Sequence, residues 1–590
     1  MLSFFPFISL SFYYRRFFAV KKSSSLLGSF LILALLFSNV FAQATAQSKT
    51  KTSTDTKAAK TTKVVTSEVI EQDMAEALTV IQDNYVDGKK LDYNVVFKSS
   101  IEGMLHTLDP HSSYFDAKEF EEFKTEQSSQ YYGIGATIGD LRDAKDNVIA
   151  TFIKATFANS PANRAGLRYG DKIVDVNGVS MLGKPFSEVR QSLRGPRGTL
   201  AKIIVERYGT GKRETVEIIR DAVSQPSVSE AYMIRPGVGY IAMTGNFTQT
   251  TFREFREAMT ELKEAGMQQL VIDLRNNGGG LVMQVLNVAN IFLTRDQTII
   301  TQKGRVDGAN ETYKANNPTP DDTPIVVLVN RNSASASEIL AGSLQDHDRA
   351  LIVGENTFGK GLITLPFPLE YGSMLLLTIA KYETPSGRLI QRDYSNGDLY
   401  SYYTNGGSFR EENPIQTPKG AERKTDSGRT VYGGGGINPD VVVKPQTITN
   451  ERARLEQKLN NPVLAFTLDL AFGKIAGFES YRIDRPIKFE YVVKSLDYPV
   501  TENLYQTFKK FALDKYKIPA AQIDKEREFI ERTLRAELVT AAYGATTSFQ
   551  VFNEYDVQLL RAIEVLPQAK QLALEGAKAN AKKTSSGLDR

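Results

Sequence analysis

Cysteine is absent from the 590-residue chain, which excludes disulfides, thiolate metal sites, a cysteine nucleophile and lipid attachment to an N-terminal cysteine. Histidine is scarce: His106, His111 and His347 are the whole supply. That argues against a multi-histidine metal centre and against a Ser-His-Asp triad. Neither H-E-x-x-H nor G-x-S-x-G occurs. If the chain is an enzyme, its base is a carboxylate or a lysine. No tandem repeat is visible. With 41% hydrophobic and 24% charged residues, the composition excludes a polytopic membrane protein and a wholly disordered one. At about 150 residues per domain, the length allows roughly four units.

What is present begins with an export signal. Residues 1–42 carry Arg15, Arg16, Lys21 and Lys22 and no acidic residue. The apolar run Leu26–Phe37 follows, then the small-residue exit Val40-Phe-Ala-Gln-Ala44. This order describes a secretory signal peptide, and the apolar core falls short of the ~20 residues a membrane span needs. The expectation is an exported protein, in the periplasm of a Gram-negative bacterium. An uncleaved, membrane-associated form is the alternative. The chain has 72 basic and 68 acidic residues, so losing those four basic ones leaves the two signs balanced. Nucleic acid is therefore not expected as a partner.

Residues 43–65 are rich in Lys, Thr, Ala and Ser with little to bury, and read as a flexible linker. From Thr66 the spacing of Val69, Met74, Ala77, Leu78 and Ile81 predicts helix, interrupted by the turn Leu108-Asp-Pro-His-Ser-Ser113. From Tyr131 to about Asp221, short strands separated by glycines predict a compact, partly open barrel, with strands at Ala201–Glu206 and Glu214–Ile219. Residues 237–445 alternate strand and helix: strands Gly239–Met243, Gln269–Leu274 and Pro324–Val329, helices Thr251–Ala265 and from about Ser335. Such alternation predicts an α/β core. Residues 393–436 are polar and Gly/Ser/Tyr-rich, as in an inserted loop. From Asn450 the pattern is mainly helical, as in Ala453–Leu459, Leu504–Tyr516 and Arg527–Ala542. A frayed end is expected over 577–590.

Chemistry concentrates where a buried strand gives way to Asn332-Ser-Ala-Ser335-Ala-Ser-Glu338. One role for Ser335 and Glu338 is a capping box. The same geometry sets a serine beside unpaired helix N–H groups, which suits an oxyanion. Lys360 stands twenty-five residues after Ser335, in Gly354-Glu-Asn-Thr-Phe-Gly-Lys360-Gly361. That stretch is nearly a phosphate-binding loop, but Gly361 replaces the Mg²⁺-binding hydroxyl, and Leu362–Leu365 looks like a strand rather than the required helix. A desolvated lysine there can instead take a proton from a serine. Asp273-Leu-Arg-Asn-Asn-Gly-Gly-Gly280 can present backbone N–H groups to a developing charge, or simply make a turn. Tyr132-Gly-Ile-Gly-Ala136 can hold a peptide's terminal carboxylate, the peptide then adding as a strand; a bulge is the plainer reading.

Taken in order, these pieces resemble the C-terminal processing peptidases, the tail-specific serine proteases of peptidase family S41. The resemblance runs from about residue 66 to 445. It rests on Leu108-Asp-Pro-His-Ser-Ser-Tyr114, the Gly-Ile-Gly loop, Leu193-Arg-Gly-Pro-Arg-Gly-Thr199, Asp273-Leu-Arg-Asn-Asn, Ser-Ala-Ser-Ala-Ser-Glu338 and Thr357-Phe-Gly-Lys-Gly361, closed by Thr384-Pro-Ser-Gly-Arg388 and Gly436-Ile-Asn-Pro-Asp440. It implies a multidomain α/β protein: a crotonase-like, ClpP-like α/β peptidase core, an inserted, mainly β PDZ domain, and helical regions at both ends. The implied division is 66–126 N-terminal helices, 127–222 PDZ domain, 223–449 peptidase core and 450–576 C-terminal helices.

The resemblance also assigns roles. Ser335 becomes the nucleophile and Lys360 its general base, with Ala336 and Gly279 (or Gly278 or Gly280) supplying the oxyanion hole. Gly133, Ile134, Gly135 and Ala136 hold the substrate tail, with Arg194 helping to sense it. Thr364 occupies the place where many members carry a lysine-orienting glutamine. No metal or cofactor is implied. The partners are protein substrates with exposed C-terminal tails; an adaptor or activator and a homo-oligomer are left open. A catalytically inactive PDZ scaffold and a ligand carrier on the same fold are the competing readings.

Overall fold

The computed structural model describes residues 66–395, 397, 402–403, 420–483 and 485–587. The signal-like segment, the linker and most of the polar stretch 396–419 lie outside the described residues. The described residues 66–93 form a unit of their own, in which the expected helix runs Ser67–Asn84 and one 3₁₀ turn follows at Gly88–Lys90. Everything from Asn94 on belongs to the second unit.

At the centre of that unit is a six-stranded sheet, in the order Glu230–Arg235, Val238–Ala242, Gln269–Asp273, Ile325–Val329, Ala350–Gly354, Val441–Val442. The first pair is antiparallel and the rest are parallel. Continuous apolar runs such as Ile325-Val-Val-Leu-Val329 arise because both faces are covered. Alternate residues point to opposite sides: Ile272, Val327 and Ile352 pack under the helices Thr251–Glu264, Val282–Phe292 and Ala336–Asp346. Val271, Val326, Leu328 and Val353 face Leu559, Ala562, Val565 and Ala569. Those last four come from the helices Val557–Glu564 and Leu566–Gly587 and from Val565 at their junction, so the C-terminal region completes the peptidase core. The final helix corrects the expected fraying from 577. Its Ala- and Lys-rich sequence favours helix, and it continues to Gly587.

The glycine-rich segment forms an antiparallel sheet in the order Ala136–Arg142, Val148–Thr156, Lys172–Val176, Leu200–Glu206, Arg213–Ile219, with the helix Phe186–Leu193 burying Val189 and Leu193 against it. Its chain enters and leaves through one paired stem, Gln130–Gly133 against Asp221–Ser224. The strand Ala136–Arg142 ends the sheet and leaves an edge. Leu141, Phe152 and Tyr169 share a core with Leu464, Leu468, Phe508 and Leu534 of the C-terminal helices. Tyr208 donates to Asp469 at 2.8 Å, and Lys154 pairs with Glu537 at 2.5 Å. One of those helices, Asn450–Ala471, runs through Pro462, further than the expected Ala453–Leu459.

Candidate active site

Two turns at the carboxyl ends of neighbouring parallel strands are laced together. Ser333 donates its hydroxyl to the Leu274 carbonyl at 2.8 Å, Ser337 donates to the Asn277 carbonyl at 2.9 Å, and the Ala334 N–H reaches that same carbonyl at 3.0 Å. Asn277 is fully buried and pins its own turn by donating to the Met243 and Gly245 carbonyls, each at 2.7 Å. Ser335 sits between strand and helix with φ 56° and ψ −113°. A β-carbon residue holds such a conformation only when its surroundings force it, a strain typical of functional positions. Its N–H donates to Glu338 at 2.8 Å, the carboxylate half of the expected capping box. Ala336 opens the helix, and its N–H makes no hydrogen bond among the described residues, which suits an oxyanion donor.

Gly279 comes up against this turn: a β-carbon there would lie 2.7 Å from the Ser335 β-carbon and 2.9 Å from the Ala336 nitrogen. Its own N–H, however, donates to Asn277 Oδ1 at 2.9 Å, whereas that of Gly278 makes no hydrogen bond among the described residues. Lys360 is brought in by the loop after Ala350–Gly354. The Phe358 N–H donates to the Ser333 carbonyl at 2.9 Å, and the Tyr382 hydroxyl reaches the carbonyls of both Ser335 (3.1 Å) and Lys360 (3.0 Å). Burial lowers the Lys360 pKa from its usual range, with Asp109 and Glu338 pulling the other way. A lysine depressed by desolvation is what a serine's base requires. Thr364 lies half-buried on the strand Leu362–Pro368, beside a bulge, and its hydroxyl makes no hydrogen bond among the described residues.

Sequence reasoning treated the turn after Leu108 only as a marker, yet it belongs to this site. The Asp109 carboxylate accepts from the N–H groups of His111 (2.7 Å) and Ser112 (2.8 Å) and from the Ser112 hydroxyl (2.7 Å). Ser112 in turn accepts from the Thr378 N–H at 3.0 Å, which ties the turn to the strand Met374–Glu383. His111 Nε2 lies 2.7 Å from the Tyr402 hydroxyl. Burial, then the charges of Lys360 and Arg392, push the His111 pKa down to about 2, from 6.5. The unfolded chain therefore takes a proton that the folded one refuses between those two values. Stability is full above pH 6.5 and drains away as the pH falls, by at most ~1.4 kcal/mol per pH unit. His111→Gln is expected to flatten that part of the melting temperature's acid dependence, measured by calorimetry below pH 6.5. An unchanged acid slope would remove His111 from the account.

At the other candidate site, the Ile134 carbonyl accepts from the Ala162 N–H at 2.7 Å and the Gly135 carbonyl from the Ser160 hydroxyl at 2.8 Å. Gly135 has φ +76°, and a β-carbon there would meet that of Ser160 at 2.3 Å, so only glycine fits. The N–H groups of Ile134 and Gly135 make no hydrogen bond among the described residues, and Ala136 starts the edge strand. Arg194 stands beside Gly133, its guanidinium 5.3 Å from the centre of the Tyr131 ring.

Comparison with known proteins identifies two domains in the chain. Residues 237–400 match the model of peptidase family S41, and residues 153–207 match a PDZ domain. The carboxy-terminal-processing protease of Bartonella bacilliformis is 34% identical over 51% of this chain and 68% of its own length. Carboxy-terminal processing protease CtpB of Bacillus subtilis is 35% identical over 54% of this chain and 65% of its own. The chain thus spans about two thirds of each relative. Among solved structures, the photosystem II D1 C-terminal processing protease aligns with 64% of this chain and 94% of its own, at 26% identity and a TM-score of 0.33.

Proposed function

The chain belongs to the carboxy-terminal processing proteases of peptidase family S41, serine-type peptidases with a PDZ domain, and we propose that it is an exported endopeptidase cutting proteins near their C-termini with a Ser335–Lys360 dyad. Neutral Lys360 takes the proton of the Ser335 hydroxyl as its oxygen attacks the peptide carbonyl carbon. The oxyanion is met by the Ala336 N–H and a glycine amide of the 278–280 run. The Lys360 ammonium returns the proton to the leaving amine. Water then attacks the acyl-enzyme with the same base, releasing a new C-terminus. The substrate's terminal carboxylate is held by the Ile134 and Gly135 amides, and its last residues extend the sheet along Ala136–Arg142. That binding is spent remote from the chemistry and selects chains with exposed tails. The export signal of residues 1–42 would make these envelope proteins, in the periplasm of a Gram-negative bacterium.

The observation that carries this reading is the forced φ of Ser335 beside an unbonded helix amide, in a turn whose carbonyl shares Tyr382 with that of Lys360. Purified protein and a Ser335→Ala variant are incubated with an unfolded reporter bearing an apolar C-terminus, and fragments are followed by mass spectrometry. Cleavage by the parent alone is expected. Binding of the tail by both, with cleavage by neither, would favour the inactive scaffold.

A further inference from the structure

We propose that Glu338 is a positioning residue that sets the spacing of the nucleophile and its base by binding the backbones of both; the proposal rests on the Ser335–Lys360 reading. Helix capping explains only a small part of its environment. The side chain is fully buried, and its two oxygens collect four hydrogen bonds. Oε2 accepts from the N–H of Ser335 at 2.8 Å and from the N–H of Lys360 at 2.8 Å. Oε1 accepts from the N–H of Gly359 at 2.7 Å and from the Thr357 hydroxyl at 2.5 Å. A cap needs the first of these alone. The other three reach across to the lysine loop, so a single oxygen joins the two reacting residues.

The donors also bear on the charge. Three are backbone N–H groups. The fourth, the Thr357 hydroxyl, itself receives the Ile437 N–H at 2.6 Å, leaving its hydrogen for Glu338. Three of the four partners can only donate and the Thr357 hydroxyl has a hydrogen to give, a set of partners that favours the carboxylate, while burial raises its pKa against these four hydrogen bonds. That negative charge faces Lys360 from the nucleophile helix. Asp109 adds another from the turn after Leu108, and Tyr382, Tyr402, Arg392 and His111 are the other titratable or charged groups around the pair among the described residues. Glu338 therefore does two things: its reach fixes where the lysine stands, and its charge holds the ammonium's pKa up against burial.

Glu338→Gln and Glu338→Asp separate the two. The glutamine keeps the length but loses the charge and presents an amide to donors. The aspartate keeps the charge and is one methylene short. Cleavage is measured as kcat/KM from about pH 5 to about pH 10, beside Lys360→Ala, with melting curves to show folding. Glu338→Gln is expected to lower the plateau by ~10²-fold and to move the rising acid limb to lower pH, because an ammonium without its counter-charge deprotonates sooner. Glu338→Asp is expected to leave the limb in place and lower the plateau by ~10-fold. An unmoved limb in Glu338→Gln overturns the proposal however low its plateau. If that variant does not fold, a plateau within about twofold of the parent in Glu338→Asp overturns it instead. An active Lys360→Ala would bring down the dyad reading itself, which a failure confined to Glu338 would leave standing.

Discussion

Lys360→Met is expected to slow peptide-bond cleavage by ~10⁴-fold or more while raising the melting temperature at neutral pH. The rate loss follows from the shortage of alternatives. His111 is held neutral but bonded to Tyr402, His106 and His347 are the only other histidines, and Asp109 and Glu338 spend their oxygens on backbone and hydroxyl donors. Without Lys360, His111, Asp109 and Glu338 are the nearby candidates among the described residues, and each is already engaged elsewhere. The gain in stability has a sign that can be worked out. The folded chain holds the lysine's pKa below the unfolded value of 10.5, so below that pH the unfolded state binds the extra proton. Stability is complete above pH 10.5 and falls as the pH drops toward the depressed value, then levels off. Methionine fills the same space without that penalty. The gap between variant and parent should thus be nil at high pH and widest at neutral pH, as stability exchanged for activity predicts. Calorimetry across this range, with a cleavage assay on the same samples, reads both effects. Turnover near the parent's rate would sink the dyad.

How far the sequence could be read depends on how local each feature is. The strand Ile325–Val329, the small polar turn and the helix Ala336–Asp346 are contiguous, so the nucleophile's geometry is visible in one short stretch. The apolar run of that strand also says that both its faces are covered. It does not say by what, and the second cover comes from Val557–Gly587, more than two hundred residues away. An amphipathic helix advertises a buried face but not its partner. The same limit hid the part played by Asp109 and His111. Their turn could be found from Asp-Pro-His-Ser-Ser, whereas its approach to Lys360 exists only once Ser113–Phe115 pairs with Met374–Leu376. Thr364 shows the opposite difficulty. An offset of four along a strand places a side chain on the same face as Lys360 only if the pleat is regular, and the bulge between Ile363 and Thr364 interrupts that alternation. Glu338 was legible as a cap, since S-x-x-E is a local pattern. Its three bonds to the lysine loop needed the fold.

Gly279→Ala is the second substitution with a large expected effect, and Gly266→Ala is its control. Both glycines lie in the peptidase core at positive φ, +100° and +88°, where a β-carbon is strained by roughly 1 kcal/mol or more. They differ in what a methyl would meet. At Gly266 nothing lies within 4 Å, so alanine there should lose only that strain and keep full activity. At Gly279 the methyl would stand 2.7 Å from the Ala334 carbonyl oxygen, 2.7 Å from the Ser335 β-carbon and 2.9 Å from the Ala336 nitrogen. Two of these are backbone atoms of the nucleophile turn, which is itself braced by Asn277, Tyr382 and Glu338 and cannot retreat without dragging Lys360 with it. Either the glycine turn withdraws, opening the oxyanion site, or Ser335 leaves its forced conformation. Each route removes transition-state stabilisation, and the loss of a single oxyanion donor already slows comparable enzymes by ~10²–10³-fold. The tail loop at Ile134 and Gly135 has its own core around Ile173, Val189 and Ile203, so capture of an apolar tail peptide should survive. Cleavage kinetics and fluorescence anisotropy on the two variants separate the outcomes. A Gly279→Ala enzyme within about threefold of the parent, or a Gly266→Ala enzyme equally inactive, would mean that backbone strain and not the close approach to Ser335 governs this turn.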